Sequence, residues 1–231
     1  MDSTYTPPYP VVMEERSFIS RVYGWMSFAL VITAVVAMWV ASTPSVTQFL
    51  FSNQFLFLGL IIGELILVGY LVLAIRRMSA TTATVTFVFY AGLNGLVLSM
   101  IFVVYTSESL ATTFFVTAGT FAVMSIYGYA TKRDLTTIGN LALMGLIGVI
   151  LATVVNLFWH NAILYWITTY IGILVFVGLI AYDTQKIKKI AAGRFSDSGE
   201  ERKTAIIGAL SLYLDFINLF LLLLRILGRR R

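Results

Sequence analysis

The chain has no cysteine in its 231 residues and a single histidine, His160. Disulfides, thiol nucleophiles and thiolate metal sites are therefore excluded, and no multi-histidine metal site can form. Charge is equally scarce. Only 12% of the residues are Asp, Glu, Lys or Arg, about half of the roughly 25% typical of a soluble domain. That is too little to solvate a globule or to build a basic face for nucleic acid, so no nucleic-acid partner is expected. Proline is rare too: Pro7, Pro8 and Pro10 fall together near the start, and Pro44 stands alone. What fills the chain is apolar, with 59% hydrophobic types and a mean hydropathy of +0.89. This is the composition of a polytopic membrane protein whose first partner is the lipid bilayer. The net charge of +5 then bears on topology.

All sixteen Lys and Arg residues fall in clusters. These are Arg16 and Arg21; Arg76 and Arg77; Lys132 and Arg133; Lys186, Lys188, Lys189, Arg194, Arg202 and Lys203; and Arg225 with Arg229, Arg230 and Arg231. The stretches 22–75, 78–131, 134–185 and 204–224 carry no basic residue. A spanning helix takes about 20 apolar residues. The first three stretches each hold two spans and a tight turn, and the fourth holds one, which gives seven. Breaks at 42–53 (with Pro44), 106–110 (with Glu108) and 159–162 mark the outer turns. The spans are expected at about 20–41, 54–75, 84–105, 111–130, 138–158, 164–183 and 204–226.

A single membrane domain over 18–228 is thus expected between a flexible N-terminal extension, 1–17, and a basic tail, 229–231. The positive-inside rule places the N-terminus and the loops near 76, 132 and 190 in the cytoplasm. Parity then puts the C-terminus outside. Arg229, Arg230 and Arg231 pull the other way and keep a re-entrant seventh segment as the alternative. The N-terminal stretch lacks the basic n-region of a cleavable signal, so the first span reads as its own anchor.

Three carboxylates lie within the expected spans: Glu64 in the second, Asp183 at the end of the sixth and Asp215 in the seventh. Each costs about 2.5–3.5 kcal/mol in a spanning helix on insertion scales, so each must face a cavity, a partner or a path. On the seventh span Gly208, Ser211, Asp215, Asn218, Leu222 and Arg225 recur at three- and four-residue spacing and share one face. Such a face is not tolerated toward lipid, so this span should be the most enclosed helix. Ser211 and Asn218 join Asp215 as path residues. Asp183 and Asp215 straddle the turn signal Ser196-Asp197-Ser198-Gly199. Two antiparallel helices leaving that turn carry both carboxylates to similar depth.

Lys186, Lys188 and Lys189 read as a solvated, topology-setting loop. Arg76 either clamps a carboxylate bidentately or snorkels. Glu64 is expected to line the same internal path, or to make a structural hydrogen bond. Gly59, Gly63 and Gly69 suggest close helix approach in the second span. His160, beside Trp159, reads as an interfacial residue.

Ala181-Tyr182-Asp183-Thr184-Gln185, followed after a basic loop by Leu212-Tyr213-Leu214-Asp215-Phe216-Ile217-Asn218-Leu219-Phe220, resembles the transmembrane Bax inhibitor motif (Bax inhibitor-1-like) family in its bacterial branch. The resemblance covers nearly the whole chain and includes Arg21-Val22-Tyr23, Tyr127-Gly128-Tyr129 and Thr131-Lys132-Arg133-Asp134. It implies an all-α membrane protein of seven transmembrane helices, with two groups of three around a central C-terminal helix, in a bacterial inner membrane. It further implies a pH-sensing and gating aspartate pair, here Asp183 and Asp215, and a calcium-permeable leak. The family's latching arginine would be Arg76, and its acidic residue in the second helix would be Glu64.

Three functions compete. The first is a proton-sensitive cation leak. Two close carboxylates share a proton and, once deprotonated, offer hard oxygens to a transient Ca²⁺, so proton and cation compete for Asp183 and Asp215. Calcium is then a permeant ion, and no cofactor is expected. The second is a non-transporting regulator that binds another membrane protein, such as a quality-control protease. The third is an aspartyl intramembrane protease. Tyr182-Asp183 fits its first motif, but Leu212-Tyr213-Leu214 stands where the second motif needs glycines. With no Gly-rich phosphate loop and no Ser–His–Asp set, the chain reads as a non-enzyme.

A topology reporter fused after Arg231 is expected to report the outer side, and one inserted near 132 the cytoplasm. A cytoplasmic signal after Arg231 would contradict the seven-span parity.

Overall fold

The computed structural model describes residues 9–193 and 195–231, with side chains from residue 15 onward. Its helices are α1 (Tyr9–Ser42), α2 (Pro44–Ser52), α3 (Gln54–Ala74), α4 (Ala80–Val104), α5 (Ser107–Ala130), α6 (Thr136–Trp159), α7 (Ala162–Ala191) and α8 (Ser198–Leu227), with a 3-10 turn, Ile75–Arg77, after α3. All but α2 are long and apolar enough to cross a membrane, which makes seven spans among the described residues. Short polar side chains start five of them by accepting orphan backbone N–H groups: Asn53 for α3, Ser79 for α4, Thr106 for α5, Asn161 for α7 and Asp197 for α8.

Two expectations about the chain's organisation change. The extension expected over 1–17 is helical from Tyr9 onward; residues 1–8 lie outside the described residues, as does Arg194 of the basic group. The break around Pro44 is itself a helix, α2, with proline in its first turn, where the missing N–H leaves no helical bond unmade.

α8 packs against α1, α4, α5 and α7, while α3 lies on α4 and α6 on α7. α8 is the most enclosed of the seven spans. Leu212, Tyr213 and Leu219 on it are fully buried. Tyr213 is the largest, and its hydroxyl meets Thr33 Oγ1 on α1 at 2.7 Å. Thr33 in turn donates to the Ala91 carbonyl of α4 at 2.9 Å. The Tyr213 ring stands edge-on to Phe87 and Tyr90 of α4. One side chain thus ties three helices together by a hydrogen bond that has no water to compete with it.

The two ends of the bundle differ. At one end the basic loops meet acidic partners, with Arg21 to Glu201 and Lys189 to Asp134 both at 2.9 Å. At the other, the final arginines fold back on the α4–α5 turn. Thr106 N–H donates to the Arg229 carbonyl at 3.1 Å, Arg231 N–H to the Val104 carbonyl at 3.0 Å, and Arg229 N–H to Ser109 Oγ at 2.9 Å. The segment 229–231 is therefore pinned in place. α8 has 30 residues, about 45 Å of helix, and runs from the basic end to this one. The re-entrant alternative is not what the fold adopts.

Close backbone approach occurs elsewhere than the sequence suggests. A Cβ at Gly59, Gly63 or Gly69 would meet nothing, because α3 is peripheral. At Gly128 on α5 it would run into the Ala181 carbonyl of α7, and at Gly139 on α6 into the Tyr182 ring. Gly128→Ala is expected to destabilise the protein by about 1–3 kcal/mol, the range for overpacking. Gly119→Ala, which meets open space, should be neutral or stabilising by up to about 1 kcal/mol. Thermal unfolding of both variants in one detergent checks the opposite signs.

Candidate functional site

The α7–α8 turn sets the site. Asp197 accepts the N–H of Glu200 at 2.8 Å, and the Glu200 carboxylate accepts the N–H of Ser196 at 2.8 Å. This reciprocal cap fixes where α8 starts and brings it back along α7. Asp183 of α7 and Asp215 of α8 then line one cavity of about 590 Å³ between α6, α7 and α8. Ser211 and Asn218 line it from α8, Thr153 from α6, and Lys186 and Arg225 stand on its lining with the aspartates. The remainder of the wall is mostly Leu, Val, Ile and Phe. Asp215 is only 4% exposed, and its Oδ2 has no hydrogen-bond partner among the described residues. A buried carboxyl oxygen without a partner is costly, and a proton, water or cation in the cavity that Asp215 lines would supply one. Asn218 spends its amide on the Leu214 carbonyl at 2.8 Å, a bond within its own helix.

Several tethers converge on the segment of α7 that carries Asp183. From α1, Tyr23 OH meets Thr184 Oγ1 at 3.2 Å. From the α5–α6 loop, Leu135 N–H donates to Gln185 Oε1 at 2.9 Å, and Gln185 Nε2 donates to the Arg133 carbonyl at 2.8 Å. From α5 and α6, Gly128 and Gly139 bring bare backbone against Ala181 and Tyr182. Lys188 donates to the Tyr129 carbonyl at 2.8 Å and lies over its ring at 4.5 Å. Residues 181–188 are held from three other helices and a loop, so Asp183 has little freedom to choose its depth.

Among the residues singled out by sequence, the structure brings Asp183, Asp215, Ser211 and Asn218 to one cavity. It does not bring Glu64 there. Glu64 accepts a hydrogen bond from Asn94 of α4, which is the structural role held as the alternative. Arg76 is exposed on the 3-10 turn and is absent from the cavity lining; the lysine that lines it is Lys186. Lys188 and Lys189 lie on the last turn of α7 and not in a loop; Lys189 is exposed as expected, and both are tied to the α5–α6 side. His160 caps α6 with a left-handed backbone, φ 48°. Gly128, Gly139 and Gln185 are positioning residues that reading for charge alone does not find. Among the described residues no group of three or more His, Cys, Asp or Glu side chains could hold a metal ion.

Toward the end where the tail is pinned, a second cavity of about 440 Å³ is lined by Asn156, His160, Asn161, Tyr165 and Thr168, and shares Thr153 and Arg225 with the first. Arg225 sits over the Tyr165 ring at 5.2 Å, at the junction of the two. At the opposite end, hydrogen bonds from Lys189 and Thr136 hold the Asp134 carboxyl down to about 2, from an ordinary 3.8. A depressed value means that the stabilisation is complete above the ordinary pKa and is lost only as pH falls through about 2. The Asp134 carboxylate therefore stays ionised throughout the neutral range.

The family model described as "Inhibitor of apoptosis-promoting Bax1" matches residues 15–231. An inner membrane protein, YbhL of Escherichia coli strain K12, is 51% identical over 217 residues, covering 94% of this chain and 93% of its own. An uncharacterized protein, RP147 of Rickettsia prowazekii, is 44% identical, covering 94% and 91%. An uncharacterized protein of Borreliella burgdorferi is 41% identical, covering 95% of each.

The lack of native cysteine makes the cavity testable by labelling. Ser211→Cys and Asn218→Cys should react with a small water-soluble thiol reagent, whereas Ala209→Cys and Leu219→Cys, at 0% exposure, should not. Protection of both cavity positions would mean that the cavity is dry.

Proposed function

The chain belongs to the family of inhibitors of apoptosis-promoting Bax1, and from that footing we propose that it is a proton-gated cation leak, with calcium as the permeant ion, in a bacterial inner membrane with its N-terminus in the cytoplasm. The observation that carries the reading is the unpartnered Asp215 oxygen, buried on the same cavity as Asp183. Two carboxylates at one apolar site share a proton. With it, α7 and α8 are held together by a carboxyl–carboxylate hydrogen bond. Without it, two like charges must separate, recruit a cationic side chain or take up a cation. Proton and cation then act on one two-state equilibrium.

Lys186 and Arg225 are the candidates for the recruited charge, since both line the cavity. Arg76 would serve only in a second conformation that turns it inward. Two carboxylates with the oxygens of Ser211 and Asn218 offer at most six oxygens, the low end of the 6–8 that Ca²⁺ takes, which suits passage with retained water and not storage. The reading is of a non-enzyme, because Leu212-Tyr213-Leu214 stands where an aspartyl intramembrane protease needs glycines.

Flux from liposomes holding only the pure protein tests this. Calcium efflux is expected to depend on pH, and Asp183→Asn and Asp215→Asn should each abolish that dependence, the double variant adding little because the unit is shared. Glu64→Gln and Asp134→Asn should leave the pH midpoint in place. Single aspartate variants with a normal pH response would overturn the gating pair. A pure protein that passes no cation would favour the membrane regulator, and cleavage of a transmembrane peptide the protease.

A further inference from the structure

A third cavity lies on the opposite side of α8. It measures about 690 Å³ and is walled by α1, α4, α5 and α8. Its α1 wall runs from Leu30 to Ser42 through Ala34, Ala37 and Ala41, and its α8 wall carries Phe216 and Phe220. Small residues on α1 and rings on α5 and α8 leave a slot. Along α1 the slot extends about 18 Å, close to half of the roughly 30 Å hydrocarbon core, so it runs the depth of one leaflet. Arg231 is its one charged lining residue, at the end where the α4–α5 turn lies. That arginine is placed, not dangling. Its backbone N–H donates to the Val104 carbonyl at 3.0 Å, Tyr105 pairs with Arg230, and its guanidinium Nη2 lies 3.4 Å from Ser107 Oγ.

We propose that this slot is a binding site for one acyl chain of an anionic glycerophospholipid, with the lipid phosphate on the Arg231 guanidinium. The shape matches a single chain of one leaflet. The apolar wall excludes a headgroup from all but the mouth, and a guanidinium at the mouth pairs with phosphate bidentately. The adjacent Arg229 and Arg230 add positive charge at the same level. A zwitterionic lipid presents the same phosphate, but its choline cation is repelled by the Arg229–Arg231 cluster, so the site discriminates by net headgroup charge. The bound chain lies against Phe216, the neighbour of Asp215, and so braces α8 from the face opposite the aspartate cavity.

Native mass spectrometry of the full-length chain, stripped of lipid and titrated with phosphatidylglycerol or phosphatidylcholine of identical chains, tests the proposal. Phosphatidylglycerol should be retained preferentially. Arg231→Gln should weaken its retention about five-fold, the contribution of one basic side chain at an anionic surface, toward that of phosphatidylcholine. Ala111→Phe, an exposed lining position whose larger side chain blocks the slot, should reduce both lipids. Each variant is checked by thermal unfolding, and Arg231→Gln decides alone if Ala111→Phe fails to fold. Equal retention of the two lipids with no effect of Arg231→Gln would overturn the proposal. So would preferential retention of free oleate over phosphatidylglycerol, or a protein helix copurifying on this face in place of lipid.

Discussion

Enclosure of the Asp215 carboxyl group is the constraint from which the rest of the bundle follows. A carboxylate facing lipid costs several kcal/mol, and the polar stripe on α8 adds Ser211 and Asn218 to that cost. The cost is avoided only if this face of α8 is turned into the protein. α8 therefore becomes the helix on which α1, α4, α5 and α7 pack, and its other faces must be apolar all round. Leu212, Tyr213 and Leu219, fully buried, are those faces. The single strong polar tie among them, Tyr213 to Thr33, has its hydroxyl satisfied, so the back of α8 is rigid while its front looks onto a cavity.

The partner carboxylate needs a matching depth, and α7 supplies it through contacts with no side chain on one side. Gly128 and Gly139 allow α5 and α6 to press on Ala181 and Tyr182, and Gln185 is bonded on both sides to the α5–α6 loop. The short motifs at residues 21–23, 127–129 and 131–134 thus serve one purpose. Tyr23 meets Thr184, Tyr129 receives Lys188, and Arg133 receives Gln185. Each lies near Asp183 along α7 and none touches its carboxyl group. Surface ion pairs such as Lys189–Asp134 add little energy of their own; their worth is in the register of α7 against the α5–α6 loop.

Much of this was legible in the sequence because the signals are local. Segregated charge marks seven spans, and a 3–4 periodicity on the last one marks a buried stripe. The turn at 196–199 returns Asp215 toward Asp183. What was not legible depends on the rotation of helices about their own axes. α3 and α6 are almost uniformly apolar, so nothing in them states which face meets a neighbour. Hence Gly59, Gly63 and Gly69 look like a packing face and meet nothing, while Gly139 meets a tyrosine ring. Glu64 finds Asn94, thirty residues away, with no local pattern to join them. Lys188 and Lys189 look like a solvated loop because helical phase cannot be read through a basic segment. α2 was hidden because a proline that begins a helix and one that breaks it look alike in sequence.

The two cavities flanking α8 give this helix a front lined by two carboxyl groups and a largely apolar back. On the proposed function, the front of α8 works because Asp183 and Asp215 hold one proton between them. Difference infrared spectroscopy of the protein in lipid, in a Glu64→Gln background, reads the carboxylic acid directly. One acid band should appear on acidification, and both Asp183→Asn and Asp215→Asn should shift its frequency and midpoint. Two bands that are lost independently, each with its own aspartate, would contradict it.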